Sequence, residues 1–545
     1  MAGGALDYQF AEGEHPRFPG SPYSPRHSPG RRAAYICSAM VLGMTAGLGN
    51  ALVTTSITTI QGEIGLYTAE AAWLLAVYVA FNAAANLALI KARVQFGIPR
   101  VTFGLLLLLI ASQVAVVLRP SIPLLFAARA IEGLTAGGLT TLTLYSGLQV
   151  APPKWRPAAI LIASGIPQLA VPIARLFPIE ALGLHDWRGL HLVDVGMAVA
   201  ALAMLNLVPL PPTDRSRAFE PLDGLTFSLF ASAMVLLCGA LAVGRYVWWQ
   251  DTSWLGLVLA IGVPLLALAL FIESRRRNPA LQVDWIGSSE ILRFALVTIT
   301  VRIALAEQTY GAVGLLNAGG LTNDQMHLLF ALVFGAMALG YAVGALTLKP
   351  ERILIQVVAA SLLIATGAGL DSYSTNVTRA PQLILSQCLI GLGASLYYGP
   401  GMVFGYGKMM ARGSTHLVSY VVLFSTTQNV GGLAGSALLG SYQIMQARAH
   451  AEALAEHLSL GDPQVVQRLQ QSSHAISGAL TDPVQQGVQG SALLGQALNL
   501  EANVLAYNDT FRLVMWIAIA VACFLLTRIG LPMLRARLHR KAQNA

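Results

Sequence analysis

The fold class predicted by the sequence is an all-α membrane protein of fourteen transmembrane helices, on three observations. Of the 545 residues, 55% are hydrophobic and only 11% charged, against roughly 25% charged in a soluble domain. So few charges cannot cover a water-soluble chain of this length. The apolar residues fall into separate runs of about 20, the length that crosses a hydrocarbon core about 30 Å thick. Lys and Arg collect in alternate loops between those runs, as they do in loops facing the cytoplasm.

Residues 1–32 are polar, hold Pro16, Pro19, Pro22, Pro25 and Pro29, and lack the apolar core of a signal peptide; they are expected to be a disordered cytoplasmic tail. The spans follow at 33–60, 69–90, 101–118, 122–149, 158–182, 190–210, 223–244, 252–273, 289–311, 325–348, 353–371, 382–406, 416–440 and 510–530. With the N-terminus inside, one set of loops holds Arg31, Arg32, Lys91, Arg93, Arg100, Lys154, Arg156, Arg215, Arg217, Arg275, Arg276, Arg277, Lys349, Arg352, Lys408, Arg412 and the tail from Arg528 to Lys541. The opposite short loops hold only Arg119, Arg188, Arg245 and Arg379. That asymmetry predicts an even number of spans with both termini cytoplasmic. It also assigns the net charge of +8 to loops rather than to a nucleic-acid-binding face. Cys37, Cys238, Cys388 and Cys523 lie inside apolar stretches, so neither a disulfide nor a metal site is expected. No P-loop, HExxH or partnered GxSxG occurs, which argues against an ATPase or hydrolase.

Residues 441–508 interrupt the run of short connections and fall outside. Ile444, Ala447, Ala451, Leu454 and Leu458 repeat at helical spacing, and Gly461-Asp462-Pro463 ends that helix. Weaker stripes follow at Leu469, Ile476 and Leu480 and, beyond Asp482-Pro483, at Leu494, Leu498 and Leu505. A helical hairpin standing off the membrane is predicted, with a plain linker as the alternative.

Several local patterns carry a resemblance. Arg129-Ala130-Ile131-Glu132-Gly133, Asp186-Trp187-Arg188-Gly189, Arg277-Asn278-Pro279-Ala280-Leu281, Gly431-Gly432 with Gly435, and Ala506-Tyr507-Asn508-Asp509-Thr510-Phe511 are similar to stretches of the EmrB-type, fourteen-helix drug:proton antiporter branch of the major facilitator superfamily. Departures accompany them. Gly49 stands near the family's helix-one acid, Arg175 replaces a glycine of the helix-five signature Val171-Pro172-Ile173-Ala174-Arg175-Leu176, and Val94 stands at the usual Asp of a loop that keeps Gly97 and Arg100. The resemblance implies two six-helix bundles with a mid-membrane site between them. The corresponding domains are a tail 1–32, an N-terminal bundle 33–210, two linker helices 211–288, helices nine to thirteen 289–440, a periplasmic helical loop 441–508, helix fourteen 509–530 and a basic cytoplasmic tail 531–545.

A charge inside a span costs roughly 2.5–3.5 kcal/mol on insertion scales, so each needs a reason. Arg129 and Glu132 share a helix face: either a self-neutralising pair or a tuned proton-exchanging acid. Arg302 and Glu307 are about 140° apart on their helix and should find separate partners. Glu307 is the preferred proton-coupling acid, because desolvation favours a neutral carboxyl, with structural pairing to an arginine as the alternative. Arg175 either pairs with Glu132 or Glu307 or meets an anionic substrate. Asp194 reads chiefly as a helix cap. Asn82, Asn86, Gln168, Gln308, Tyr397, Tyr398, Gln428 and Asn429, with Arg175 and Arg302, are the candidate substrate contacts. Ile444, Ala451, Leu454 and Leu458 are the candidate adaptor contacts.

The function so implied is proton-driven export of small amphipathic or anionic compounds across a bacterial inner membrane, without a cofactor. The resemblance further implies a tripartite pump with an EmrA-like periplasmic adaptor and a TolC-like outer-membrane channel. Two alternatives stay open: a proton-coupled organic-anion or siderophore transporter, suggested by Arg129, Arg175 and Arg302, and a non-transporting membrane scaffold.

Overall fold

A computed structural model of the chain describes residue 14 and residues 20–177, 187–459, 461–475 and 482–543. Among them every regular element is a helix, and the one β-bridge joins Pro22 to Thr213. The N-terminal half comprises α1 Pro29–Thr55, α2 Ile57–Ile64, α3 Thr68–Phe96, α4 Ile98–Leu118, α5 Ile122–Val150, α6 Arg156–Ala174 and α7 Arg188–Leu207. Next come α8 Pro221–Val247, α9 Ser253–Ser274 and the single turn α10 Val283–Ile286. The C-terminal half holds α11 Ser289–Ala306, α12 Val313–Ala318, α13 His327–Thr347, α14 Ile353–Asp371, α15 Ile384–Arg412, α16 Leu417–Glu456, α17 Pro463–Ala475 and α18 Pro483–Gln543.

The starts and stops follow local chemistry. Ser28 caps α1 by accepting from the Arg31 amide at 3.4 Å, with Pro29 at the first helical position. Gly97, at φ +84°, turns α3 directly into α4, a left-handed geometry that favours glycine. Twelve helices among the described residues are long and apolar enough to cross a membrane. The other two predicted spans, nine and thirteen, are helical as α11–α12 and α16. They carry more polar residues than the rest, including Arg302 and Glu307 in one and Ser425, Gln428 and Asn429 in the other.

α1 packs on α5, α6 and α7, and α3 and α4 pack on α5. In the other half α11 packs on α16, α15 on α13 and α14, and α18 on α14 and α16. α8 lies against both α3 and α16 and carries α9 on its outer side. In lipid the apolar surface gives helices little drive to associate, so close approach of small residues does that work. A Cβ at Gly133 of α5 would lie 2.5 Å from the Tyr78 carbonyl oxygen of α3. The halves meet along a seam where α6 touches α13 and α15, and α3 touches α16.

Three expectations are corrected. Part of the N-terminal tail is ordered: the Tyr23 amide donates to the Pro212 carbonyl at 3.1 Å, its hydroxyl donates to Asp214 at 3.0 Å, and His27 bonds Gln149 at 2.9 Å. Val94 lies where Gly20 folds over it, close enough that a Cβ at Gly20 would sit 2.7 Å from a Val94 methyl; this apolar residue near the end of α3 is what receives the strap. Second, the outer loop is not bounded at 440 and 509. No glycine or proline interrupts 441–456 or 496–528, so α16 and α18 run through those boundaries as continuous helices. Third, the backbone of the basic tail continues α18 to Gln543. Residues 1–13, the end of the fifth predicted span at 178–182, Asp186, Ile476 and Leu480 lie outside the described residues.

Candidate functional site

Polar side chains that the sequence scatters over ten helices gather in three places. In the N-terminal half, Arg129 of α5 is fully buried and donates to Glu132 at 2.7 Å, to Asn50 at 2.5 Å and to the Leu74 carbonyl at 3.3 Å. Its guanidinium also covers the Tyr78 ring at 4.7 Å. The Arg129–Glu132 pair predicted from spacing is therefore formed. Asp194 is not a cap: it sits in the second turn of α7, buried, and points toward α1. A Cβ at Gly49 would stand 2.5 Å from a Glu132 oxygen and 2.6 Å from an Asp194 oxygen. The missing side chain of α1 is thus the space that admits two carboxyls from α5 and α7.

In the C-terminal half the glycines of α16 set the position of α11. A Cβ at Gly435 would meet that of Ala306 at 2.7 Å, and one at Gly431 would meet that of Arg302 at 3.0 Å. One residue after Ala306 the helix widens into a π-helical turn, Glu307–Ala312, a device often found at functional sites. Glu307, fully buried, accepts from the Gln387 amide at 3.0 and 3.3 Å, and the same amide nitrogen donates to Asp371 at 2.7 Å. Two carboxyls from α11 and α14 are thus bridged by one neutral amide from α15. Neither forms an ion pair among the described residues, so the expected alternative of an arginine partner for Glu307 does not hold. Gln308 donates to the Gln387 carbonyl at 3.2 Å and supports this turn.

The third place is the seam. Arg302 donates to the Gln428 carbonyl at 3.1 Å and has no carboxylate partner among the described residues; Tyr341, Tyr397 and Tyr398 surround its charge. Asn429 donates to Asn82 at 2.7 Å, joining the two halves. Asn86 accepts from Thr141 at 3.4 Å. Of these residues, Asn82 and Asn429 bond each other across the seam, whereas Arg302 and Asn86 bond within their own halves. Tyr397 lies between Arg302 and Thr298. The open cleft lies nearer the terminal side, lined by Ile90, Thr141, Tyr145, Arg156, Tyr406 and Tyr420 and edged by Ser21, Pro22 and Ser24 of the strap. Its lining was missed in the sequence because most of it is apolar or aromatic.

Arg175 corrects another expectation. It meets neither Glu132 nor Glu307; its guanidinium donates to Asn323 at 3.3 Å and lies 5.5 Å from the Phe330 ring, while Asn323 donates back to the Arg175 carbonyl at 2.9 Å. This reciprocal pair joins the halves on the side away from the termini. On the same side α16 and α18 run on together, joined by His450 to Asp509 at 2.7 Å. Ile444 and Ala451 border a groove shared with Asn499, Ala502 and Asn503, Leu454 is half-buried, and Leu458 is exposed. Much of the stripe expected to await an adaptor is thus covered by the chain itself.

No protein-family model matches the chain. It is 24% identical over 404 residues, 72% of this chain and 70% of the relative, to the MFS-type transporter ptmT of Penicillium ochrochloron. It is 25% identical over 491 residues, 83% of this chain and 82% of the relative, to a multidrug resistance protein B homolog of Mycobacterium tuberculosis (strain ATCC 25618 / H37Rv). Among solved structures, a POT family transporter in complex with 5-aminolevulinic acid superposes with TM-score 0.52 at 13% identity, over 93% of this chain and 98% of that one. The chain has the major facilitator fold. These relatives are named as a transporter and as a multidrug resistance protein homolog, the latter a name that the local motifs anticipate.

Proposed function

We propose that the protein is a proton-driven secondary exporter of small amphipathic or anionic compounds in a bacterial inner membrane, with both termini in the cytoplasm. The Glu307–Gln387–Asp371 cluster carries this reading. Two fully buried carboxylates without a cation would each bear a desolvation cost of several kcal/mol, so the pair must hold at least one proton. Releasing it requires water or a cation, and an alternating-access motion that opens the seam supplies the first. Arg302, across a single helical turn from Glu307 and lacking a carboxylate partner, then offers a guanidinium to an anionic cargo. Cargo binding and proton loss are thereby coupled through one helix, α11. The Arg129–Glu132–Asp194 group is the second candidate, but its cation already neutralises one acid.

Export rather than uptake is supported by the drug-resistance name of the bacterial relative. The tripartite assembly, with an EmrA-like adaptor and a TolC-like channel, is supported by the reach of α16 and α18. At 1.5 Å per residue the 40 residues of α16 extend about 60 Å, twice a hydrocarbon core of about 30 Å. The exposed end at Leu458 is the part left for a partner.

Glu307→Gln, measured in proteoliposomes, is the test. It should leave a folded protein that binds and exchanges cargo without a gradient, yet no longer accumulates cargo when a pH gradient is imposed. Gradient-driven transport at the wild-type rate would refute the assignment. Stimulation by a gradient of the opposite sign would favour organic-anion uptake, the reading that the unpaired Arg302 also allows.

A further inference from the structure

A slot opens on the lipid-facing side of the C-terminal half, away from the seam. It lies where α11 and α14 begin, beside the second half of α15 and the Phe524–Arg528 stretch of α18. Phe294, Val297, Val357, Phe404 and Leu525 form its walls, with Tyr397 and Thr298 at its inner end. From Glu290 at the mouth to Thr298 inside, α11 rises about 12 Å, close to the depth of one leaflet of a core about 30 Å thick. Apart from the Thr298 hydroxyl, which donates to the Phe294 carbonyl at 2.9 Å, and the Tyr397 hydroxyl beside it, the interior offers a ligand no polar partner.

The mouth is different. Arg293 and Arg528 both border it and both are exposed. Arg293 bonds only Ser289 of its own helix, at 2.7 and 3.0 Å, and Arg528 lies 5.4 Å from the Phe524 ring. Neither forms an ion pair among the described residues. Glu290, the acid of the mouth, is already engaged by Lys408. An apolar slot one leaflet deep, with two uncompensated guanidinium groups at the level where headgroups sit, fits one kind of occupant.

We propose that this slot binds an anionic phospholipid from the leaflet on the terminal side, one acyl chain lying between α11, α14, α15 and α18 and the phosphate held by Arg293 and Arg528. A guanidinium fork suits a phosphodiester, and a neighbouring cation at an anionic surface contributes about 1 kcal/mol. Removing both should therefore weaken binding roughly thirtyfold, from about 2 kcal/mol at 1.36 kcal/mol per decade. The site is independent of the cargo path, since it faces lipid rather than the seam.

The experiment is lipid retention by the full-length protein, delipidated in detergent and titrated with phosphatidylglycerol or phosphatidylcholine, with bound lipid counted by native mass spectrometry. The wild type should hold phosphatidylglycerol in preference to phosphatidylcholine. Arg293→Ala with Arg528→Ala, both at exposed positions, should abolish the preference while leaving the unfolding temperature in lipid-free detergent unchanged. Val297→Trp, which fills the slot, should reduce retention of phosphatidylglycerol with both arginines in place. Equal retention of the two lipids by the wild type would overturn the proposal, as would an unchanged preference in the double variant. Full competition by soluble glycerol phosphate would show a phosphate site without an acyl slot and would overturn it too.

Discussion

Gly435→Ala adds one methyl group at the contact that positions Glu307, and its effect can be worked from the geometry. The new Cβ would lie 2.7 Å from the Ala306 Cβ, 2.9 Å from the Ile303 Cα and 3.0 Å from the Ile303 carbonyl oxygen. Carbon atoms settle at about 3.5–4.0 Å, so α11 and α16 must part by about 1 Å. Two of the three obstructing atoms are backbone and cannot turn aside. Overpacking of this kind costs about 1–3 kcal/mol. It also carries Glu307, one residue past Ala306, away from a Gln387 amide now at 3.0 Å, which would stretch that bond beyond useful length. The control is Gly432→Ala, whose Cβ would meet only the flexible Arg302 guanidinium, at 3.3 Å. Thermal unfolding and gradient-driven transport in proteoliposomes should both fall for Gly435→Ala, with Gly432→Ala keeping its stability. A Gly435→Ala protein equal to wild type in both assays, or a Gly432→Ala protein equally destabilised, would refute the claim that this helix contact holds the carboxyl pair.

Two further perturbations probe the ends of the seam. Asn323→Ala removes both hydrogen bonds that it exchanges with Arg175, each worth about 0.5–1.5 kcal/mol; it should increase cysteine labelling in the seam on that side and alter transport of anionic and cationic cargo alike, whereas a selective loss of anionic cargo in Arg175→Ala would restore a cargo-binding role. On the other side, burial pushes the His27 imidazole below its usual range, against the opposing Gln149 bond, with Arg31 and Arg32 adding to the shift and Glu14 opposing it. A folded value below the unfolded one, about 6.5, means that docking of the strap is full above that pH and is lost as pH falls through the folded value. Hydrogen-exchange protection at residues 20–28, taken relative to the intrinsic exchange rate at each pH, should therefore fall on going from about pH 7 to about pH 5, an effect that His27→Gln should remove; constant or greater protection in the wild type would contradict it.

Fold class was legible because it depends on composition and periodicity, which are local. A span needs only a long enough apolar run, and α13 and α14 end close to where their runs end. The spans blurred where a helix carries polar groups: the 18 residues of α11 hold Glu290, Arg293 and Arg302, and α16 holds Gln428 and Asn429. The boundary at 440 failed for a related reason. Loss of hydrophobicity marks where a helix leaves lipid, not where it ends, and nothing between Gly440 and His457 stops α16.

The site was half legible, and the division has a physical cause. A charge in an apolar run announces itself through its insertion cost, which is how Arg129, Glu132, Arg302 and Glu307 stand out. Their partners do not. Asp371 closes α14 at the edge of a span and Asp194 sits near the start of α7, so each resembles an ordinary terminal acid until the fold sets it against a carboxyl from another helix. The same holds for Gly49. Read alone it is a lost acid and an argument against proton coupling; with α5 and α7 in place it is the vacancy into which Glu132 and Asp194 both point. A residue without a side chain is what gives two carboxyls room to meet, and that relation exists only between helices, where no single stretch of sequence records it.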